Sequence, residues 1–175
     1  MTTSLRPATL DDLDHITGLH TRARTAYYEA GGWSEPELTS PEAFAERREM
    51  WLRAVRSDTK TVLCAVQGDA LVGVLAMGPP HDTDVDATAV GQLYQIHVQP
   101  GFWGQGIGGL LHAAFVRRLR DTSLSAGVLE AWERNTRAQG FYARHGWRTD
   151  GHRRSGPGDG DYVRMRLGVA AVGPR

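Results

Sequence analysis

The sequence predicts an α/β (α+β) protein built on one mixed, mostly antiparallel sheet of about seven strands with flanking helices. The order of elements carries that expectation: strand, two helices, three strands, helix, strand, helix, two strands. In the strands, apolar and β-branched residues run together or alternate, and in the helices apolar residues recur every three or four positions. No internal repeat and no linker breaks the 175 residues. Residues 1–175 are therefore expected to be a single domain with a core of about 4–168 and a loose tail at 169–175.

Taken in order, the first strand is expected at 4–7. Thr9 follows as a helix cap with Asp12 three residues on, and Leu13, Ile16, Leu19, Ala23 and Tyr27 continue the helix on one face. The run YEAGGW at 28–33 is expected to break that helix at its paired glycines. Ser40 and Pro41 restart a helix as cap and first-turn proline, with Phe44, Trp51, Leu52 and Val55 as its buried stripe and an end near Asp58. Strands at 61–66 and 71–77, parted by Gln67, Gly68 and Asp69, read as an antiparallel hairpin. The segment HDTDVDATAVG at 81–91 reads as a solvated acidic loop, placed to face a cationic substrate. Asp82, Asp84 and Asp86 mimic the start of a calcium loop, but Ala87 stands where the turn glycine belongs and Leu93 where the closing glutamate belongs, so no metal site is expected. A strand at 127–132, a short helix capped by Asn135 and closed by Gly146, a long turn over DGHRRSGPGDGD at 150–161 and a final strand at 162–169 complete the chain.

Twenty basic and twenty acidic side chains cancel, so the charge balance points to neither nucleic acid nor an anionic membrane. The first residues lack a charged-then-apolar leader pattern, and no window approaches the roughly 20 apolar residues of a membrane span. A cytoplasmic protein is expected. Cys64 is the only cysteine, which excludes an intrachain disulfide and a multi-cysteine zinc site; within TVLCAVQ it reads as a buried strand residue.

Residues 92–120, QLYQIHVQPGFWGQGIGGLLHAAFVRRLR, hold the chemistry. An apolar run ends at Val98, Pro100 cannot continue a ladder, and Gly104, Gly106, Gly108 and Gly109 free the backbone. Ile107, Leu110, Leu111, Ala114, Phe115 and Leu119 then recur at helical spacing, so the glycines sit at a helix N-terminus, where unpaired amides favour anions. Strand, glycine turn and helix describe a phosphate cradle. GQGIGG also satisfies G-x-G-x-x-G, with Glu130 at about the distance of a ribose-binding acid, so a dinucleotide oxidoreductase is an alternative. Against it, Gln99 to Trp103 separate strand from motif, and fewer than seventy residues follow.

The longer pattern V-x-P-x-x-x-G-x-G-I-G, here Val98, Pro100, Gly104, Gly106, Ile107 and Gly108, is followed by N-x-x-A-x-x-F-Y-x-x-x-G-W, here Asn135, Ala138, Phe141, Tyr142, Gly146 and Trp147. Together they resemble the GNAT superfamily of acyl-CoA-dependent N-acetyltransferases, and the order of elements matches over nearly the whole chain. The resemblance implies one N-acetyltransferase domain, a sheet splayed between its fourth and fifth strands, and acetyl-CoA as cofactor with its pantetheine arm in the splay. It implies cofactor contacts from Ile96, His97, Val98, Trp103, Gly104, Gln105, Gly106, Ile107, Gly108, Gly109, Asn135 and Tyr142. Trp103 departs from the Arg or Gln usual in the family at its position, so one side-chain contact to phosphate is expected to be lost or replaced by stacking.

By the same resemblance, the Val98 amide polarises the thioester carbonyl and Tyr142 stands as general acid near the sulfur, a phenol of unperturbed pKa about 10 remaining protonated at neutral pH. The family's strand glutamate is replaced by Gln92, which cannot serve as a base. His97 has a suitable ordinary pKa, Glu130 and Glu133 are rivals, and water is a further route for the proton. Tyr27, Tyr28 and Trp33, with Gln92 and Glu130, are the candidate acceptor contacts, since aromatic rings beside carboxylates suit an ammonium group. The expected function is direct acetyl transfer to a primary amine of a small molecule. Alternatives are acetylation of a protein N-terminus or lysine and a non-catalytic acyl-CoA sensor. Homodimers are common among similar proteins, so a homodimer is a further expectation.

Overall fold

The computed structural model of the chain describes residues 2–34 and 36–170. Seven strands form one sheet in the order β1-β2-β3-β4-β5-β7-β6, where β1 is Thr3–Pro7, β2 Thr61–Gln67, β3 Ala70–Gly78, β4 Val90–Val98, β5 Ala126–Trp132, β6 Arg148–Ser155 and β7 Asp161–Gly168. Every neighbouring pair is antiparallel except β4 and β5. A dinucleotide-binding fold needs a largely parallel, doubly wound sheet, so the oxidoreductase alternative fails on topology.

The parallel pair is short. Val90, Gly91 and Gln92 oppose Ala126, Gly127 and Val128, and pairing between β4 and β5 ends there. Beyond Gln92 the register of β4 against β3 shifts, leaving Tyr94 as the extra residue of a bulge between Leu93 and Gln95. A bulge bends its strand and increases the local twist, which turns β4 away from β5 and opens the sheet at its middle. On its other side β5 pairs with β7 along its whole length, Ala126 to Trp132.

Helices α1 (Leu13–Ala30) and α2 (Pro41–Arg56) cover one face of the sheet, packing Ile16, Leu19 and Trp51 against Val62, Cys64, Val74 and Ala76. Helix α3 (Ile107–Asp121) covers the other, with Ile107, Leu111, Phe115 and Leu119 against Leu75, Leu93 and Leu129. Helix α4 (Thr136–Arg144) adds Phe141 and Tyr142 to that second core. Gly73 lets α3 press on β3, since a Cβ there would lie 3.0 Å from Leu111 and 3.1 Å from Ile107. Capping follows the sequence: Ser40 Oγ accepts from the Ala43 amide, Asn135 Oδ1 accepts from the Ala138 amide, and the Thr9 amide and hydroxyl both donate to Asp12.

Helix α1 ends at the paired glycines as expected, running through Tyr28 to Ala30 with Gly31 as its C-cap, while Tyr28 is fully buried against Trp33 and Trp132. Three local expectations are corrected. The long turn at 150–161 is mostly strand: β6 continues to Ser155 with a register shift between Thr149 and Arg153, and Gly151 takes a left-handed conformation (φ +89°) in the bulge. The acidic loop does not await an external cation. Arg164 of β7, only 6% exposed, donates to Asp82, Asp84 and Asp150 at 3.0, 3.0 and 2.7 Å. Finally, Val169 is anchored, its amide donating to the Ser125 carbonyl at 2.8 Å; residues 171–175 of the expected tail lie outside the described residues.

Candidate active site

The open side of β4, the glycine turn and α4 enclose a groove of about 580 Å³. Gly104 and Gly106 both have φ of +80°, a conformation that side chains resist, and a Cβ on Gly104, Gly106 or Gly109 would meet nothing within 4 Å. The amides at the start of α3 thus border open space, the arrangement that receives phosphate oxygens. Ile96, His97, Val98, Trp103, Gly104, Gly106, Ile107, Gly108, Gly109, Asn135 and Tyr142 all line this groove; Gln105 is exposed and lies outside its lining.

The orientation of Val98 follows from the ladder. The Gln99 amide donates to the Val72 carbonyl at 2.9 Å, so Gln99 points its backbone toward β3. Successive strand residues alternate, so Val98 and Ile96 point theirs into the splay. The indole Nε1 of Trp103 donates to the Val98 carbonyl at 2.8 Å, fixing that peptide. Trp103 is therefore a backbone anchor rather than a phosphate ligand, and its outer face carries the Arg137 guanidinium 4.2 Å from the ring centroid. Arg134, Arg137 and Arg144 all line the groove. Sequence reasoning missed them, although the seven-residue spacing of Arg137 and Arg144 marks one face of α4; Arg134 precedes the Asn135 cap.

A second cavity, of about 650 Å³, opens on the α1 side. It shares Tyr27, Ile96, His97, Asn135, Ala138 and Tyr142 with the groove, so the two spaces meet at the splay. Tyr142 is 7% exposed, and burial raises the pKa of its phenol well above the ordinary value. It is protonated throughout the physiological range, as a proton donor must be.

The base candidates fare differently. His97 stacks on His20 with ring centroids 4.2 Å apart, and its Nε2 bonds Gln95 Oε1 at 2.7 Å. Burial first, then the charges of Arg24 and Arg47, push its pKa down to about 3, so it is a poor acceptor for a proton from an ammonium group. This corrects its expected role. Glu130 pairs with Arg154 at 2.8 Å. Glu133 is held by Arg153 and by the Asp161 amide, which keep its carboxyl below the usual range. Gln92 Oε1 accepts from the His81 amide at 2.7 Å, a positioning contact.

Among the expected acceptor contacts, Tyr27, Gln92 and Glu130 line the second cavity. Tyr28 and Trp33 lie outside both linings: the Tyr28 hydroxyl meets that of Tyr162, and Trp33 packs on the Tyr28 ring. Ligand atoms of Asp82, Glu130 and His152 come within 4.8 Å of one another, yet Arg164 and Arg154 already occupy the two carboxylates. No described helix is long and apolar enough to cross a membrane.

The fold has close counterparts among solved structures. PaiA N-acetyltransferase from Thermoplasma acidophilum, determined in complex with coenzyme A, superposes with a TM-score of 0.75 at 17% identity, covering 96% of this chain and 99% of that one. Ribosomal-protein-S18-alanine N-acetyltransferase from Escherichia coli gives 0.70 at 17%, covering 98% and 97%. An acetyltransferase from Thermus thermophilus gives 0.68 at 17%, covering 96% and 97%. A search of curated protein sequences finds no match. The family model described as Acetyltransferase (GNAT) family matches residues 21–147, which hold the glycine turn, Asn135 and Tyr142, and the chain therefore belongs to that family of acetyl-CoA-dependent N-acetyltransferases.

Proposed function

We propose that this protein transfers an acetyl group directly from acetyl-CoA to a primary amine of a small molecule. One observation carries the proposal: a groove suited to the cofactor and a separate cavity on the α1 side meet where Tyr142 and the splayed end of β4 lie. The residues fit the cofactor, with open amides at the glycine turn and three arginines beside them for phosphates, and unpaired backbone at Ile96 and Val98 for pantetheine amides. When bound, acetyl-CoA supplies an activated acyl thioester.

The Val98 N–H donates to the thioester carbonyl oxygen as the amine nitrogen forms its bond to that carbon. Trp103 keeps the Val98 peptide turned toward the splay. Tyr142 gives its proton to the departing sulfur as the carbon–sulfur bond breaks, and recovers one from the acetylated nitrogen through water. His97 is too weak a base and Glu130 is held by Arg154, so the amine loses its first proton to solvent.

The test uses the purified full chain. Coenzyme A is expected to raise the melting temperature, with a stabilisation of about 2.7 kcal/mol at a hundred times its Kd, and a panel of small primary amines is expected to release thiol from acetyl-CoA. An absent thermal shift, or binding with no turnover of any amine, refutes the proposal. Turnover confined to peptide N-termini or lysines overturns its acceptor half.

A further inference from the structure

The second cavity contains a cation with no counter-charge among the described residues. Arg24, on α1, lines it, and its Nε is buried without a hydrogen-bond partner among those residues. Its guanidinium lies 5.2 Å from the Tyr28 ring centroid. Behind it stands Arg47 of α2, 7% exposed, whose guanidinium bonds only to neutral oxygens, Thr21 Oγ1 at 2.5 Å and the Leu38 carbonyl at 3.4 Å. Neither arginine forms an ion pair with a described carboxylate.

The rest of the cavity does not supply one. Glu130 is the single carboxylate among its described lining residues, and Arg154 holds it. His20 and His97 face the same space and bring no negative charge, since each is held neutral: His20 Nδ1 accepts from Trp51 Nε1 at 3.1 Å, and burial lowers both pKa values. Burying a cation in a partly dry site without a partner is costly, and a chain retains such a group where a ligand supplies the missing charge. Guanidinium is the side chain best matched to a planar carboxylate, which it grips through two parallel N–H bonds.

We propose that Arg24, backed by Arg47, is an anion-recognition site within the acceptor cavity, so that the acceptor is an amine that also carries a carboxylate, of the kind found in amino acids. Tyr27 and Tyr162, which also line the cavity, supply contact area for the carbon skeleton between the two groups. This inference rests on the proposed acetyl transfer, but its central claim concerns binding and is tested separately from turnover.

Two measurements decide it. In the first, thiol release is followed with matched pairs, free α-amino acids and the same residues as carboxamides, together with spermidine as an amine lacking an anion. The wild type is expected to favour the acid over the amide by 10-fold or more in kcat/KM. Arg24→Gln is expected to bring that ratio near one and Arg24→Lys to restore part of it, while coenzyme A affinity stays within about twofold in both. A wild type that prefers amides or spermidine, or an Arg24→Gln variant that keeps the preference, overturns the inference while leaving acetyl transfer standing.

In the second, binding of N-acetylglycine and N-acetylglycinamide to the coenzyme A complex is measured by calorimetry. Tighter binding of the acid, lost in Arg24→Gln, supports the anion site even where no amine in the panel is turned over. Equal binding of the two overturns it whatever the activity.

Discussion

At the residue scale, the splay assigns different work to three side chains that the motif alone places together. With Tyr142 as the proposed proton donor, Tyr142→Phe should lower kcat by about 10²-fold or more and leave the Kd for coenzyme A within a few-fold; steady-state rates and calorimetry on the same preparation check the split. An equal loss in both would assign Tyr142 to cofactor packing. Trp103 acts through one hydrogen bond to the Val98 carbonyl. Trp103→Phe keeps the aromatic surface beneath Arg137 but releases that carbonyl, at a cost of about 1 kcal/mol, and is expected to lower kcat more than cofactor affinity because the Val98 peptide is no longer pinned. His97 shows why identity alone misleads. Strand position and ordinary pKa recommended it as a base, but the relevant quantity was the field at its ring, set by burial and by Arg24 and Arg47, which reach it from α1 and α2, elements distant from it in sequence.

At the element scale, the start of α3 and the end of β4 act as one unit. Gly106 caps the helix in the left-handed region, so Gly106→Ala should cost about 1–2 kcal/mol of stability and weaken coenzyme A binding several-fold by displacing the first amides of the helix. Chemical denaturation and calorimetry measure the two effects. These elements were legible in sequence because each carries local punctuation: a proline that stops the strand, glycines that free the turn, a periodic apolar face, and the Ser40 and Asn135 caps. The elements misplaced were those decided by distant partners. The acidic loop is drawn in by Arg164 of β7, and β6 persists through a glycine-rich run because β7 offers a ladder to pair with. Arg137 and Arg144, seven residues apart on α4, were readable as one helical face, whereas Arg134 precedes the Asn135 cap and reaches the groove only through the folded turn.

At the scale of the whole molecule, neutral buried histidines couple stability to pH. Trp51 donates to His20 and Trp147 donates to His112, whose pKa falls to about 4 through burial and the nearby His145. With His97 near 3, the folded chain refuses protons that the unfolded chain takes up at about 6.5. The unfolded state therefore binds more protons below that value, so this contribution is complete above pH 6.5 and declines as the pH falls from there toward 3. His97 alone accounts for about 2 kcal/mol between pH 7 and 5. Denaturation midpoints at stepped pH should show this slope, and His97→Gln should flatten it. A carboxylate such as Asp150, held down to about 2 by Arg166 and Arg164 against its own desolvation, adds a further decline only below about pH 4. Arg164 joins the 82–84 loop to β6 and β7, so Arg164→Met should lower stability by about 2–3 kcal/mol without changing coenzyme A affinity, as thermal melts with and without the cofactor would show.

The brevity of the contact between β4 and β5 has a consequence for exchange with solvent. Past Gln92 the two halves of the sheet face each other across an unlaced seam, and only every second amide along the free margin of β4 is already engaged. The cofactor's arm, lying in that seam, would act as a temporary rung. Deuterium uptake at single-residue resolution should then show an odd–even signature. Ile96 and Val98 exchange readily in the free protein and slow when coenzyme A is added, whereas His97 and Gln99, committed to β3 throughout, keep the same rate. A uniform change across all four would mean that the seam closes as a body rather than being bridged.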